Sequence, residues 1–454
     1  MVSQVPARPM KILVLGINYA PEIISTAVYN TDLAEGMASR GAEVRVVAAK
    51  PYYPEWRVRK GWRGPFWRNR RSEIGVKITH CPLYVPANPT GLKRILHHAS
   101  FAITALPIAL WRGLVWRPDI VFVVAPSMIS APVGWLTARF AGAKAWLHIQ
   151  DFEVEAAFAT GLLKPESRIA RAARAFETWV LRRFDQVSTI SAPMVAKLRQ
   201  KQVPQERVSE LRNWANLEKV KPLEGPSPMR AELGIRTRYV VLYSGNLANK
   251  QGLEIIPDIA RRLDHRRDVT FVVCGDGPLR SRLEEMSRGL SSIRFLPLQP
   301  LERLSELLGM ADIHLLPQIA GAADLVLPSK LTNMLASGRP VLATTEAGTA
   351  LADEVEGAGL VTRPGDGAAA AEALSALLDD PERRAALGTR ARALSIERWD
   401  ATRTLNDLKA AFVLLCCENR TAPHETPPVE QPLTDIVLDT RFALNPKTLQ
   451  QQNR

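Results

Sequence analysis

The sequence runs twice through the same alternation of short apolar runs and helical stretches. Lys11–Gly16 (KILVLG), Glu43–Ala49 (EVRVVAA), Asp119–Val124 (DIVFVV), Ala145–Ile149 (AWLHI) and Phe184–Ile190 make the first series. Tyr239–Ser244 (YVVLYS), Val269–Cys274 (VTFVVC), Ile293–Leu296, Ile313–Leu316 and Pro340–Thr344 make the second. Apolar runs of this length, separated by helices such as Thr31–Arg40 and Leu253–Leu263, predict parallel strands covered on both faces. The expected class is α/β, with two Rossmann-like, doubly wound domains facing across a cleft. Ligands of such sheets bind beyond the carboxyl ends of the strands.

The alternation breaks at Asn213–Pro228, where Pro222, Gly225, Pro226 and Pro228 predict a linker. The expected domains are therefore 10–218 and 219–396. Residues 397–415 predict a terminal helix crossing back to the first domain. The proline-rich, polar stretch 418–454 predicts a disordered tail.

The net charge of +13 falls almost wholly on the first half. Residues 57–117 hold twelve Lys and Arg and a single acid, Glu73, together with Trp62, Phe66, Trp67, Trp111 and Trp116. Basic residues mixed with tryptophan predict attachment to an anionic membrane surface. A solvated basic loop beside a core helix is the other reading of the same pattern. No recognition motif for nucleic acid accompanies the charge, so nucleic acid is not an expected partner. The longest uncharged apolar stretch, within Ala99–Trp111, is too short to span a bilayer, and no secretory pattern opens the chain. Cys81, Cys274, Cys416 and Cys417 show no CxxC spacing, which argues against a zinc or disulfide framework and suits a cytoplasmic protein.

Five segments could carry chemistry. In the stretch Tyr243–Gly252 a strand ends at Gly245 and a loop with Asn246 and Lys250 leads to a helix start, a cradle suited to a diphosphate. Gly275, Asp276 and Gly277 follow the next strand, where glycine lets a backbone approach a ligand closely. In Leu327–Val341, Ser329 is a candidate N-cap and Lys330 falls in the first helical turn, where the helix dipole disfavours a cation unless an anion binds beside it. His148, Asp151 and Glu153 gather at the carboxyl end of a first-half strand, as candidates to orient a sugar or exchange a proton. An acidic helix start would explain Glu153 equally well. The loop after the first strand, with Tyr19, Pro21, Glu22 and Ser25, lacks the GxGxxG spacing of a dinucleotide site. No DxD triad offers a metal site, so a metal-independent reaction is expected, with Lys250 and Lys330 neutralising a leaving diphosphate.

Together these segments resemble the family-four retaining glycosyltransferases of GT-B fold, and more narrowly the colanic-acid type enzymes of exopolysaccharide biosynthesis. The likeness is carried by GINYAPE at 16–22, PYYPEW at 51–56, CPLYVP at 81–86, LHIQDFEVEA at 147–156, RNWAN at 212–216, YSGN…KQGLE at 243–254 and PSKLTNMLASGRPV at 328–341. It implies transfer of a hexose, with fucose one candidate, from a GDP- or UDP-linked sugar to a lipid-linked glycan, with no further cofactor. It also implies that Gly245, Asn246, Lys250, Ser329 and Lys330 meet the diphosphate. Gly275, Asp276 and Gly277 would support the nucleotide, and Asp151 would lie near the reacting carbon. The sequence departs from the wider family at Ile23–Ala27, where many relatives have a Gly-Gly pair, at Asn246 in place of Arg, and at Leu325 and Asn333 in place of two glutamates. Asn333 retains hydrogen-bonding capacity toward a ribose. A nucleotide-sugar epimerase of the same fold and a non-catalytic membrane scaffold are the competing readings.

Overall fold

The computed structural model describes residues 8–22, 25–159, 166–215, 217–247, 251–320 and 330–417. The first half contributes β1 (Lys11–Gly16), β2 (Glu43–Ala49), β3 (Arg68–Arg71), β4 (Lys77–Cys81), β5 (Ile120–Ala125), β6 (Lys144–Ile149), β7 (Gln186–Thr189) and β8 (Val208–Glu210). They form one sheet in the order β3-β4-β2-β1-β5-β6-β7-β8. Every pairing is parallel except that of β3, which runs antiparallel to β4 at the edge. The second half contributes β9 (Tyr239–Ser244), β10 (Val269–Cys274), β11 (Ile293–Leu296), β12 (Ile313–Pro317), β13 (Val341–Thr344) and β14 (Gly359–Thr362). These make a parallel sheet in the order β11-β10-β9-β12-β13-β14.

Helices cover both faces of each sheet, as apolar strands require. On the first sheet, α1 (Ser25–Ser39) lies on one face. On the other lie α2 (Gly91–Trp116), α3 (Ala131–Ala141), α5 (Arg168–Leu181) and α6 (Ala192–Gln200), with α4 (Glu153–Ala159) at the carboxyl edge. After the short α7 (Pro228–Glu232), the second sheet is flanked on one face by α8 (Ile255–Arg262), α9 (Arg280–Met286) and, later in the chain, α13 (Gly367–Asp379). The opposite face holds α10 (Leu304–Gly309), α11 (Lys330–Ala336), α12 (Ala350–Val355) and α14 (Pro381–Trp399). The last helix, α15 (Ala401–Cys417), returns to the first sheet and places Leu405, Leu408 and Phe412 in the core beside α1. Strand order reverses beside β1 in the first sheet and beside β9 in the second, so the binding crevices lie at the carboxyl ends of β1/β5 and β9/β12.

Four expectations change. The helix expected at Thr31–Arg40 begins at Ser25, because Ala27 and Tyr29 are buried against the sheet and extend its apolar face. The proline-rich connection is an ordered strap at its start: Trp214 packs edge-on against Tyr29 at 5.5 Å, and Ala215 bridges to Asp400. Proline and glycine mark the absence of a regular element, and backbone pairing with a distant residue leaves no local signal. The terminal helix expected over 397–415 is broken at Asp400, whose carboxylate accepts the Arg403 N–H at 2.6 Å and so caps α15. The apolar stretch of Ala99–Trp111 is part of the 26-residue α2, which by length and composition alone is long and apolar enough to cross a bilayer. The helix runs through Arg112 because that guanidinium is satisfied in the interior, by the Val46 carbonyl at 2.9 Å and the Thr79 hydroxyl at 2.5 Å. The expected tail, 418–454, lies outside the described residues.

Phe412 is fully buried, with its ring 5.1 Å from that of Trp146 and 5.7 Å from that of Phe122. Phe412→Ala should cost the first domain about 3–5 kcal/mol, seen as a lower urea midpoint for the transition that exposes Trp146. An unchanged midpoint would mean that α15 does not hold that core together.

Candidate active site

At the mouth of the second sheet two loops lie backbone to backbone. Gly245 has φ +146 and Gly275 φ +151, a region that favours glycine. A Cβ on Gly275 would stand 1.9 Å from the Gly245 carbonyl oxygen, so no other residue fits there. The contact is extended by the Leu247 N–H, which bonds the Asp276 carbonyl at 2.9 Å. Asp276 turns its carboxylate back onto the Gly277 N–H at 2.8 Å, and the exposed Asn246 lies against Gly277. Gly245, Asn246, Gly275, Asp276 and Gly277 are thus brought to one place.

Lys330 joins them as the first residue of α11. Its side chain crosses Gly245, where a Cβ would stand 2.9 Å from its Cε and Nζ. Nζ lies 2.5 Å from the Tyr243 hydroxyl and 2.7 Å from Gln251 Oε1, and 4.3 Å from the Tyr243 ring centre. These partners are neutral. Burial pulls the Lys330 ammonium down to about 7, with no carboxylate among the described residues opposing the shift. An enclosed cation held, among the described residues, by dipoles alone, at a helix start, is a site suited to an anion. Asn333 follows one turn later on the same side of α11, half-buried. Lys250 and Ser329 lie outside the described residues. Tyr243 and Gln251, which hold Lys330, were not singled out in the sequence, since only the fold carries β9 to the start of α11.

The mouth of the first sheet is built differently. Glu22 is buried and spends its carboxylate on structure: Oε1 accepts the Tyr52 and Tyr53 N–H groups at 2.8 and 2.9 Å, and Oε2 accepts from Asn18 Nδ2 at 2.8 Å. Burial raises its pKa while these donors oppose the rise. Glu22 therefore ties the loop after β1 to the loop after β2. Pro21 accepts from Arg59 Nη1 at 3.0 Å, and the Tyr19 ring faces the core beside α1. Ser25 opens α1, and its side chain lies outside the described residues.

His148 lies within β6, buried, with Nδ1 2.9 Å from the Ser188 hydroxyl and Nε2 3.0 Å from Gln150 Nε2. Burial lowers its pKa to about 3, so the imidazole is neutral near pH 7. Through it Gln150 is aimed at Asn213, and the two amides bond reciprocally at 2.9 Å. Asp151 sits half-buried on the bend that follows. Glu153 is also engaged: its carboxylate receives the N–H groups of Ser127 at 3.0 Å and Met128 at 2.7 Å. It thereby holds Ser127, a non-glycine residue at φ +105, in a left-handed turn.

Beside Glu153 stands an aromatic and imidazole group that sequence reasoning passed over. His97 lies 4.5 Å from Tyr52 and 5.3 Å from Trp56, centre to centre, and Arg94 lies 5.5 Å over the Trp56 ring. His98 Nε2 is 3.7 Å from Glu153 Oε1. Burial lowers both histidines to about 4, so they are neutral near pH 7. The signal was present in PYYPEW and in the His-His pair, but only the packing of α2 joins them.

The two crevices are connected. The Tyr29 hydroxyl of α1 bonds Thr332 of α11, next to Asn333. Arg212 of the strap and Arg398 of α14 grip the two oxygens of Glu354 at 2.5 and 2.7 Å.

Residues 26–214 match the family described as "Glycosyl transferase 4-like domain", and residues 238–380 that described as "Glycosyl transferases group 1". The chain is 41% identical over 350 residues to the "Putative colanic acid biosynthesis glycosyl transferase WcaI" of Escherichia coli K12, a span covering 75% of this chain and 85% of that one. Among solved structures it resembles sucrose-phosphate synthase of Thermosynechococcus elongatus, with a TM-score of 0.69 and 17% identity over 90% of this chain and 100% of that one. Anabaena HepE in complex with UDP-glucose gives a TM-score of 0.63 and 18% identity over 89% and 100%. At these identities the structural likeness establishes the fold.

A nucleotide sugar bound against Lys330 should hold that lysine charged and so raise its pKa above 7. Binding then takes up a proton when the free lysine is neutral. The sign follows: affinity is level below pH 7, then falls as pH rises, by up to roughly tenfold per unit. Titration calorimetry across neutral and mildly alkaline pH reads this, and a flat profile would place the anion elsewhere.

Proposed function

The chain belongs to the family-four type GT-B glycosyltransferases, and from that premise we propose that it transfers a hexose from a GDP- or UDP-sugar to a lipid-linked glycan in exopolysaccharide assembly. The observation that carries this reading is the enclosed Lys330 ammonium, whose partners among the described residues are neutral, set across Gly245 beside the Gly275–Gly277 loop. In the proposed reaction the glycosidic bond to the diphosphate breaks as the acceptor hydroxyl oxygen bonds the anomeric carbon, and the proton of that hydroxyl passes to the leaving diphosphate. Lys330 stabilises the charge left on the diphosphate, the task a metal performs in other transferases. Transfer is proposed to be metal-independent and to retain the anomeric configuration. The group after β6, with Asp151 and the neighbouring Glu153, His98 and Trp56, is proposed to receive the acceptor.

The enzyme is proposed to work at the cytoplasmic face of the membrane, held there through residues 57–117. Support comes from the two-sided character of α2. One stripe, including Phe101, Ala105, Ala109 and Trp116, is buried on the sheet. The outer stripe, Leu92, Leu96, Ile103, Trp111, Leu114 and Val115, is exposed; Ile103 is 70% and Trp111 66% accessible. A helix apolar all round needs a second apolar partner. Phe66 and Trp67 border this stripe, with Trp67 Nε1 donating to the Thr104 carbonyl at 2.9 Å. Arg68, Arg70 and Arg71 are exposed on the edge strand that follows.

Two measurements test the proposal. Lys330→Ala should weaken nucleotide-sugar binding by at least about tenfold, the loss expected for a charge-assisted contact of 1.5–3 kcal/mol; unchanged affinity removes the donor site from α11. A panel of GDP- and UDP-sugars, with and without lipid-linked glycan extract, should reveal one donor consumed faster with the extract. Turnover without acceptor would instead favour epimerisation, and no donor binding at all a scaffold.

A further inference from the structure

Helix α5 carries a second basic and aromatic face, well outside residues 57–117. Its exposed residues include Arg168, Ile169, Arg171, Arg174, Phe176 and Trp179. At about 100° per residue these split the outer arc into an arginine flank and an apolar flank. Phe176 and Trp179 stack with ring centres 6.2 Å apart. Trp179 also meets Trp135 of α3 edge-on at 5.8 Å, and the Arg183 guanidinium lies 5.0 and 5.1 Å over those two tryptophans. The single acid of the helix, Glu177, is turned inward and held by Lys201 at 2.5 Å. The outer face therefore bears cations and rings with no carboxylate.

This arrangement works against the helix when it stands alone. Arg168, Arg171 and Arg174 repeat at three-residue spacing, where like charges repel. Arg168 also opens the helix, where the dipole disfavours a cation. An anionic surface relieves both costs and gives the apolar flank a medium to enter. The face is also continuous with α2. Helix α3 lies between them: Gly113 of α2 closes on Thr137, where a Cβ would stand 2.9 Å from Cγ2, and Trp135 reaches α5 from the same helix. Arg139 and Phe140, at the end of α3, are exposed, Phe140 by 60%.

We propose that α5 is a second membrane-binding helix, with Ile169, Phe176 and Trp179 entering the headgroup region of an anionic bilayer and Arg168, Arg171 and Arg174 engaging lipid phosphates. The proposal rests on the membrane attachment argued above and extends it. Two contacts on one rigid domain bind jointly. They also set the rotation of the domain on the surface, which a single helix leaves free.

The test is co-sedimentation of the full chain with vesicles of phosphatidylcholine containing phosphatidylglycerol, against vesicles of phosphatidylcholine alone. Three variants are compared: Arg168→Gln with Arg171→Gln and Arg174→Gln; Phe176→Ser with Trp179→Ser; and, on α2, Ile103→Ser with Leu114→Ser. Nucleotide-sugar affinity serves as the folding control for each. Both α5 variants should bind the anionic vesicles at least about tenfold more weakly than the wild type, with donor affinity retained. If the α2 variant detaches while both α5 variants bind like the wild type, the α5 proposal is overturned and the attachment through α2 stands. A wild-type chain that sediments with neither vesicle overturns both.

Discussion

Two sheets whose central, parallel strands are buried on both faces leave no room for chemistry within those strands. A polar group inside such a strand has to be satisfied by its neighbours. His148 shows the consequence: it belongs to β6, and its two ring nitrogens are used by Ser188 and Gln150. The polar groups that the strands cannot hold gather at their carboxyl ends, where the backbone leaves the ladder. Lys330, Gly245 and Gly275 sit at one such edge, and Asp151, Glu153 and Trp56 at the other. The same burial requires helices on every face, which is why α15 must travel back to close the first sheet after α14 has closed the second.

The two crevices handle charge in opposite ways. On the first sheet, the carboxylates of Glu22 and Glu153 receive backbone N–H groups that offset their desolvation and make them parts of the frame. On the second, Lys330 meets a phenol and an amide, and burial acts on its ammonium unopposed. In the first arrangement the carboxylates are satisfied by the protein itself. The second leaves electrostatic free energy to be recovered when an anion arrives. This asymmetry fits a division in which one domain holds a charged donor and the other presents a shaped surface to an acceptor. The Tyr29–Thr332 contact and the grip of Arg212 and Arg398 on Glu354 join the two, so that α11 is in register with the first domain.

The outer helix layer of the first sheet is the remaining departure from an ordinary soluble fold. The inner stripe of α2 has its partner in the sheet, while the outer stripe and the ring-bearing flank of α5 face outward. Basic residues border both. This apolar surface with cations at its border is the observation behind the proposed attachment to an anionic bilayer.

Much of the fold was legible in the sequence because it depends on local composition. Lys11–Gly16, Glu43–Ala49, Tyr239–Ser244, Val269–Cys274 and Ile293–Leu296 are strands with the expected ends, the central ones because a strand buried on both faces is predominantly apolar. The glycines after β9 and β10 and the lysine opening α11 were legible for a similar reason: close backbone approach and a helix start each restrict residue type. What tertiary structure decided were the contacts between segments far apart in the chain. It spent the carboxylates of Glu22 and Glu153 on backbone N–H groups of distant loops, brought Tyr243 and Gln251 to Lys330, and carried α2 through Arg112 by supplying Val46 and Thr79 as partners. A residue's type sets which bonds it can make. Whether those bonds are spent inside the fold or kept for a ligand depends on neighbours that no local pattern encodes.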